Sequence, residues 1–162
     1  MWRSLVLALA FLLSGMILGP AWAQQATESK EAAAIKEAMQ KHDEALNKQD
    51  LAALMDTYAA NADIVLMGTG PGEVWVGKQN IEETYKHFFK DFKAGSLKHD
   101  CPWSMSDQKD NVAWLAVSCQ MQDVGKKGKR SYALNLSAML IKEPAGWKFQ
   151  MMHFSNLTAG KR

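Results

Sequence analysis

Between residues 27 and 48, apolar side chains recur at helical spacing. Ala33, Ile35, Met39, His42, Ala45 and Leu46 form one stripe, and Glu and Lys crowd the opposite side. The spacing predicts a helix over 27–48, capped by Thr27 or Ser29. A second, shorter helix is expected in "DLAALMDTYAAN", with Asp50 as its N-cap. The pattern then changes period. In "ADIVLMGTGPGEVWVG" two β-rich runs flank a Gly-Thr-Gly-Pro-Gly turn. A third helix is expected over "KQNIEETYKHFFKDF", with Ile81, Tyr85, Phe88, Phe89 and Phe92 on one face.

Beyond that helix the chain reads as strand and turn. Strands are predicted over 96–106, 111–123, 129–142 and 146–156, separated by "DQKDN", "GKKG" and "EPAG". The order α-α-β-β-α-β-β-β-β gives an α+β fold, with helices packed on one face of an antiparallel sheet. No repeat or linker divides it.

Side chains alternate along a strand, so hairpin turns decide which residues share a face. If the turns hold odd residues opposite odd ones, one face gathers His99, Cys101, Trp103, Cys119, Asn135, Ser137, Met151, His153 and Ser155. The other face is then almost wholly apolar: Trp114, Tyr132, Leu134, Leu136, Leu140, Met152 and Phe154. With the helices on the odd face, the even face has no cover from its own chain. A homodimer packed through the strands near 111–123, 129–142 and 146–156 would cover it.

The ends and the charge narrow the setting. Arg3 precedes an apolar run from Leu5 to about Leu18 and an Ala21-Trp22-Ala23 cleavage pattern. Residues 1–23 therefore read as a secretory signal peptide, leaving a single domain over 24–162 and a periplasmic or secreted product with no membrane attachment after cleavage. The formal net charge is only +2. The short "GKKGKR" at 125–130 reads as a solvated turn, not as a nucleic-acid patch, so no nucleic-acid partner is expected. The two cysteines, Cys101 and Cys119, sit in an exported chain where a bridge can persist. If paired positions sum to 220 they face each other directly. The other reading is two buried thiols.

"DIVLMGTGPGEVWVGKQNIEETYKHFF", "DNVAWLAV" and "GWKFQMMHFS" resemble the SnoaL-like proteins of the nuclear transport factor 2-like superfamily. The resemblance implies a cone, a curved antiparallel sheet of about six strands wrapped around three helices from the N-terminal half, with a pocket at the wide end. It implies no single reaction, since the superfamily spans isomerases, dehydratases, cyclases and association domains. Relatives often carry a further His two residues before the last one, where this chain has Met151. That departure weakens a metal or two-histidine reading, and neither a metal nor a cofactor is expected.

His153, in "WKFQMMHFS", is the candidate acid/base, because imidazole titrates near neutrality. The expected ligand-binding set is Tyr58, Trp75, His99, Trp103, Asn135, Met151, His153 and Ser155. An apolar pocket with a few convergent polar groups suits a small hydrophobic or amphipathic molecule. Three function classes follow: a small-molecule-binding protein, an isomerase, cyclase or dehydratase using His153 with Asn135 or Tyr58, and an association module.

Overall fold

The computed structural model describes residues 29–157. The proposed signal peptide and Thr27 lie outside the described residues. Helix α1 spans Lys30–Lys48 and starts at Ser29, whose Oγ accepts from the Ala32 N–H at 3.1 Å. It buries Ile35, Ala38, His42, Ala45 and Leu46, the i, i+3, i+4 stripe that the sequence presents. Helix α2, Leu51–Asp56, is capped by Asp50, which accepts from the Ala53 N–H at 3.0 Å. Helix α3, Lys78–Phe88, is shorter than its apolar face suggested. Phe92 leaves the helix but stays buried, beside Gly125 of the sheet. No helix among the described residues is long and apolar enough to cross a membrane.

The strands are β1 (Val65–Met67), β2 (Val74–Val76), β3 (Lys98–Lys109), β4 (Val112–Gly125), β5 (Gly128–Glu143) and β6 (Gly146–Asn156). They form one open, curved sheet in the order β2-β1-β6-β5-β4-β3. Together with the three helices this is the α+β cone. The sheet is mixed, where an antiparallel one was expected, because β1 runs parallel to β6. Its direction is set before the strand starts. Phe149 N–H donates to Thr57 O at 2.8 Å and Ala59 N–H to Phe149 O at 2.9 Å, so the segment leaving α2 already lies parallel to β6.

The register differs from the odd-to-odd expectation, and the turns explain why. The three long hairpins close on Lys109↔Val112, Gly125↔Gly128 and Glu143↔Gly146, each around a two-residue loop. Such a loop pairs an odd residue with an even one. Across β4 and β5 that parity holds throughout, with Cys119 opposite Leu134 and Leu115 opposite Ala138. Across β3 and β4 it is reset by a bulge between Asp100 and Trp103, where Pro102 has no N–H for the ladder. Across β5 and β6 a second irregularity, between Met139 and Leu140, resets it again.

The face that meets the helices therefore combines odd residues of β4 with even residues of β5 and, across the irregularity in β6, Trp147 and Phe149 before it and even residues after it. Ala113, Leu115, Leu136, Ala138, Leu140 and Met152 are all buried there. Tyr132, Leu134, Leu136, Leu140, Met152 and Phe154, expected on an uncovered face, turn inward. Of that expected set only Trp114 points outward, at 42% exposure. The outer face carries it beside Trp103, Met105 and Met139.

The bulge at Pro102 also answers the cysteine question. Before it, positions pair to 220, which sets Cys101 beside Cys119, and the two are joined in a disulfide. With a sequence separation of 18, the loop it closes should contribute about 3 kcal/mol. Thiol titration in denaturant without reductant should find no free thiol. Urea unfolding with reductant should show a stability loss of that order.

Candidate functional site

The inner face of the sheet does not pack flush against the helices at its β1–β2 end. A cavity of about 460 Å³ remains between α1, α3, the β1–β2 turn and the ends of β4, β5 and β6. Most of its wall is apolar: Leu46, Leu66, Trp75, Phe88, Leu134 and Phe154. Its polar groups come from two places, the floor and the rim.

At the floor, α1 delivers His42. The helical stripe puts it among core residues, and it is fully buried. Its Nε2 lies 3.2 Å from Tyr85 Oη of α3, and its Nδ1 lies 3.3 Å from Asp43 Oδ1. Tyr85 Oη lies 2.6 Å from Tyr58 Oη, which in turn reaches Met152 Sδ at 3.1 Å. On the solvent side, His99 Nε2 of β3 lies 3.4 Å from Asp43 Oδ2. One proton arrangement satisfies the line from Tyr58 to Asp43. His42 Nδ1–H donates to the Asp43 carboxylate, Tyr85 O–H donates to His42 Nε2, and the single Tyr58 O–H proton goes to Tyr85 Oη or to Met152 Sδ, not to both.

The charges follow from these contacts. Burial pushes the Asp43 carboxyl up, but hydrogen bonds from His42 and His99 outweigh burial and hold it below the usual carboxylate range. The same contact with Asp43 raises His99. Burial pushes the Tyr58 and Tyr85 phenols well above their ordinary range, so both stay protonated as donors.

At the rim, β4 and β5 place Asp123 directly opposite Arg130. Arg130 Nε donates to Asp123 Oδ1 at 2.6 Å and Nη2 to Oδ2 at 2.8 Å, while Tyr132 Oη donates to Oδ2 at 3.1 Å. Burial first, and then Asp123, push the Tyr132 phenol up to about 12. Glu73 completes the rim by folding over its own turn, where its Oε2 accepts from the Gly70 N–H at 2.7 Å. A Cβ at Gly68 would stand 2.3 Å from that Oε2, so the glycine makes room for the carboxylate.

Of the residues expected at the site, Trp75 lines the cavity. Tyr58 lies beneath it in the buried hydrogen-bonded line. His99 reaches that line from outside through Asp43. Trp103, Asn135, Met151, His153 and Ser155 lie on the opposite face of the sheet. There Asn135 pairs with Ser155 and Met151 with Met139, while His153 sits between Ser137 and Met67. Only part of the polar cluster expected around His153 comes together, Asn135 with Ser155 and His153 beside Ser137, on the face turned away from the cavity, while His99 and Cys119 lie on the inner face. His42 was legible as a polar member of an apolar stripe. The Asp123–Arg130 pair was not, because its two residues meet only once the "GKKG" turn fixes the register.

A second recess, about 540 Å³, lies between α1, α2 and the β5–β6 turn. It is lined by alanines and by charged side chains already paired, such as Lys41 with Glu37 and Lys148 with Asp56. It gathers no buried polar line. Among the described residues no cluster of His, Cys, Asp or Glu has the arrangement of a metal site.

Residues 35–159 match the family described as the SnoaL-like domain. No curated protein matches the chain. Among solved structures, a ketosteroid isomerase-like protein from Erwinia carotovora atroseptica is 23% identical, with a TM-score of 0.66 over 81% of this chain and 99% of its own. A proposed dehydratase of the NTF2-like family from Streptomyces avermitilis is 13% identical, with a TM-score of 0.72 over 80% and 98%. An NTF2-like superfamily protein from Salmonella enterica serovar Typhimurium is 16% identical, with a TM-score of 0.68 over 78% and 90%. At these identities the likeness is one of fold.

The Asp43–His99 contact gives a pH signature. Asp43 is lowered from 3.8, so its contribution is present above that pH and is lost as pH falls through the folded value. His99 is raised from 6.5, so its contribution is present below that pH and is lost as pH rises through the folded value. The pair should stabilise the fold most between these limits. Asp43→Asn should flatten the pH dependence of urea midpoints there and lower the His99 pKa read by NMR titration. An unchanged His99 titration would remove the contact from the account.

Proposed function

The chain belongs to the SnoaL-like family, and on that premise we propose that it is an exported small-molecule-binding protein whose ligand occupies the cavity between α1, α3 and the inner sheet face. The observation that carries this reading is the cavity itself. Its volume of about 460 Å³ lies within the usual span of small-molecule sites, its wall is mainly apolar, and it has polar groups at two separated points. Binding is favoured over turnover because the floor groups are already committed to one another. Tyr85 and Asp43 occupy the two ring nitrogens of His42, and no buried side-chain nitrogen or oxygen among the described residues is left without a partner. Proton transfer by an isomerase, cyclase or dehydratase would have to begin by breaking this line.

Export draws support from two independent features. The sequence of 1–23 has the signal pattern, and the Cys101–Cys119 bridge suits an oxidising compartment. The outer sheet face supports a second part of the reading, self-association. Trp103 is 53% exposed and Met105 55%, with Trp114 and Met139 beside them. A contiguous apolar face of this kind is covered most simply by a second copy across a two-fold axis. The association-module class thus becomes a property of the outer face, compatible with a ligand inside.

Titration with a neutral hydrophobic fluorophore such as N-phenyl-1-naphthylamine should give saturable emission. Leu134→Trp, which adds bulk to the cavity wall, should weaken that binding at least tenfold while unfolding stays cooperative. Equal dye affinity in both proteins would remove the cavity as the ligand site. For the outer face, light scattering at micromolar concentration should give the mass of a dimer. Trp114→Glu should halve it by placing a charge in the contact. A monomeric wild type would end the self-association reading.

A further inference from the structure

The cavity rim is built around one guanidinium, and its construction says more than a hairpin clamp requires. Asp123 is 3% exposed and needs a cation; Arg130 supplies it through one edge only, Nε and Nη2. The adjoining edge, formed by Nη1 and the second Nη2 proton, makes no hydrogen bond among the described residues. A planar edge of two N–H donors matches a carboxylate. Its position matters as much as its chemistry, because Arg130, Tyr132 and Leu134 succeed one another along the inner face of β5 and all three line the cavity.

The chain also reserves space for this side chain. Gly125 has an ordinary φ, unlike Gly128 at 112°, so its backbone does not demand glycine. A Cβ there would lie 2.8 Å from Arg130 Nε and 3.0 Å from Cζ. The missing side chain lets the guanidinium lie flat against the strand, with Asp123 fixing its rotation.

Two other acids line the cavity, and the charge of one of them, Asp91, also reaches Arg130. Glu73 is turned onto the Gly70 N–H, and Asp91 lies 3.6 Å from Lys126 Nζ. The "GKKGKR" hairpin adds Lys127 and Lys129 to Lys126 and Arg130, so the field at this end is positive.

We propose that the cavity is specific for amphipathic carboxylic acids, with the carboxylate seated on the outer edge of Arg130 and the apolar body directed toward Leu134 and Phe154. This rests on the cavity being a ligand site and names the class of ligand. Decanoate and decanol are the probes, because they share an apolar body and differ at the head. Each is titrated at pH 7 by displacement of the neutral fluorophore. The wild type should bind decanoate about tenfold more tightly than decanol, the worth of one charge-assisted contact. Arg130→Gln should erase that preference, weakening decanoate far more than decanol. Since it strands a buried carboxylate, the double variant Asp123→Asn/Arg130→Gln provides a neutral rim for the same comparison. Gly125→Ala keeps every charge and should still reduce the preference several-fold by displacing the guanidinium. If decanol binds and the acid-to-alcohol ratio is the same in the wild type and the double variant, the carboxylate site is overturned while the cavity stands. If neither probe binds the wild type, both readings fall.

Discussion

The two-residue loop at Lys126-Lys127 is the constraint on which the arrangement rests. By pairing Gly125 with Gly128 it forces odd residues of β4 to face even residues of β5 along the whole ladder. A loop one residue longer would turn the next strand over and exchange its faces. Leu134, Leu136 and Leu140 would then lie outside, and Asn135 and Ser137 would meet the helices. The same loop brings Asp123 and Arg130 together, so the hydrophobic sorting of the sheet and this two-bond ion pair have one origin.

This explains what could be read from the sequence and what could not. Helix positions, strand positions and caps were legible because each depends on local periodicity and on side chains within a turn. Ser29 and Asp50 cap as read, and the α1 stripe is buried as read, His42 included. Faces were not legible, because parity is a property of loops and bulges and each can reverse it. Pro102 and the irregularity beside Leu140 each did so. His153 illustrates the consequence. Its neighbours along the strand are apolar whichever way it points, so the local pattern of "WKFQMMHFS" carries no information about the side it takes. Trp75 was found because a short strand after a glycine turn leaves little choice, and its partner Leu66 is buried.

The bulge at Pro102 links the disulfide to the buried line. Before the bulge, His99 and Cys101 lie on the inner side of β3; after it, Trp103 and Met105 lie on the outer side. A β3 without the bulge could not send His99 toward Asp43 and Trp103 toward solvent at once. Cys101 Sγ also lies 3.5 Å from His99 Nδ1, so the bridge to Cys119 holds the strand where the imidazole leaves it. A covalent tie at an irregular point of the ladder replaces the backbone hydrogen bond that proline cannot make.

The two polar points of the cavity differ in a way that bears on how a ligand would lie. The floor is neutral where it meets the cavity. The protonated Tyr85 and the His42 ring face inward, and the Asp43 charge is turned away toward His99. The rim is charged and partly open, with the Arg130 side chain 43% exposed. Desolvating an ion at the floor would be costly, because the hydroxyls there are engaged and the surroundings are apolar. At the rim, an anion keeps part of its hydration and gains a guanidinium edge already held in place. An amphipathic molecule entering this cavity, as proposed, would therefore be oriented by the protein alone, charged end out and apolar end in, before any contact specific to its shape is made.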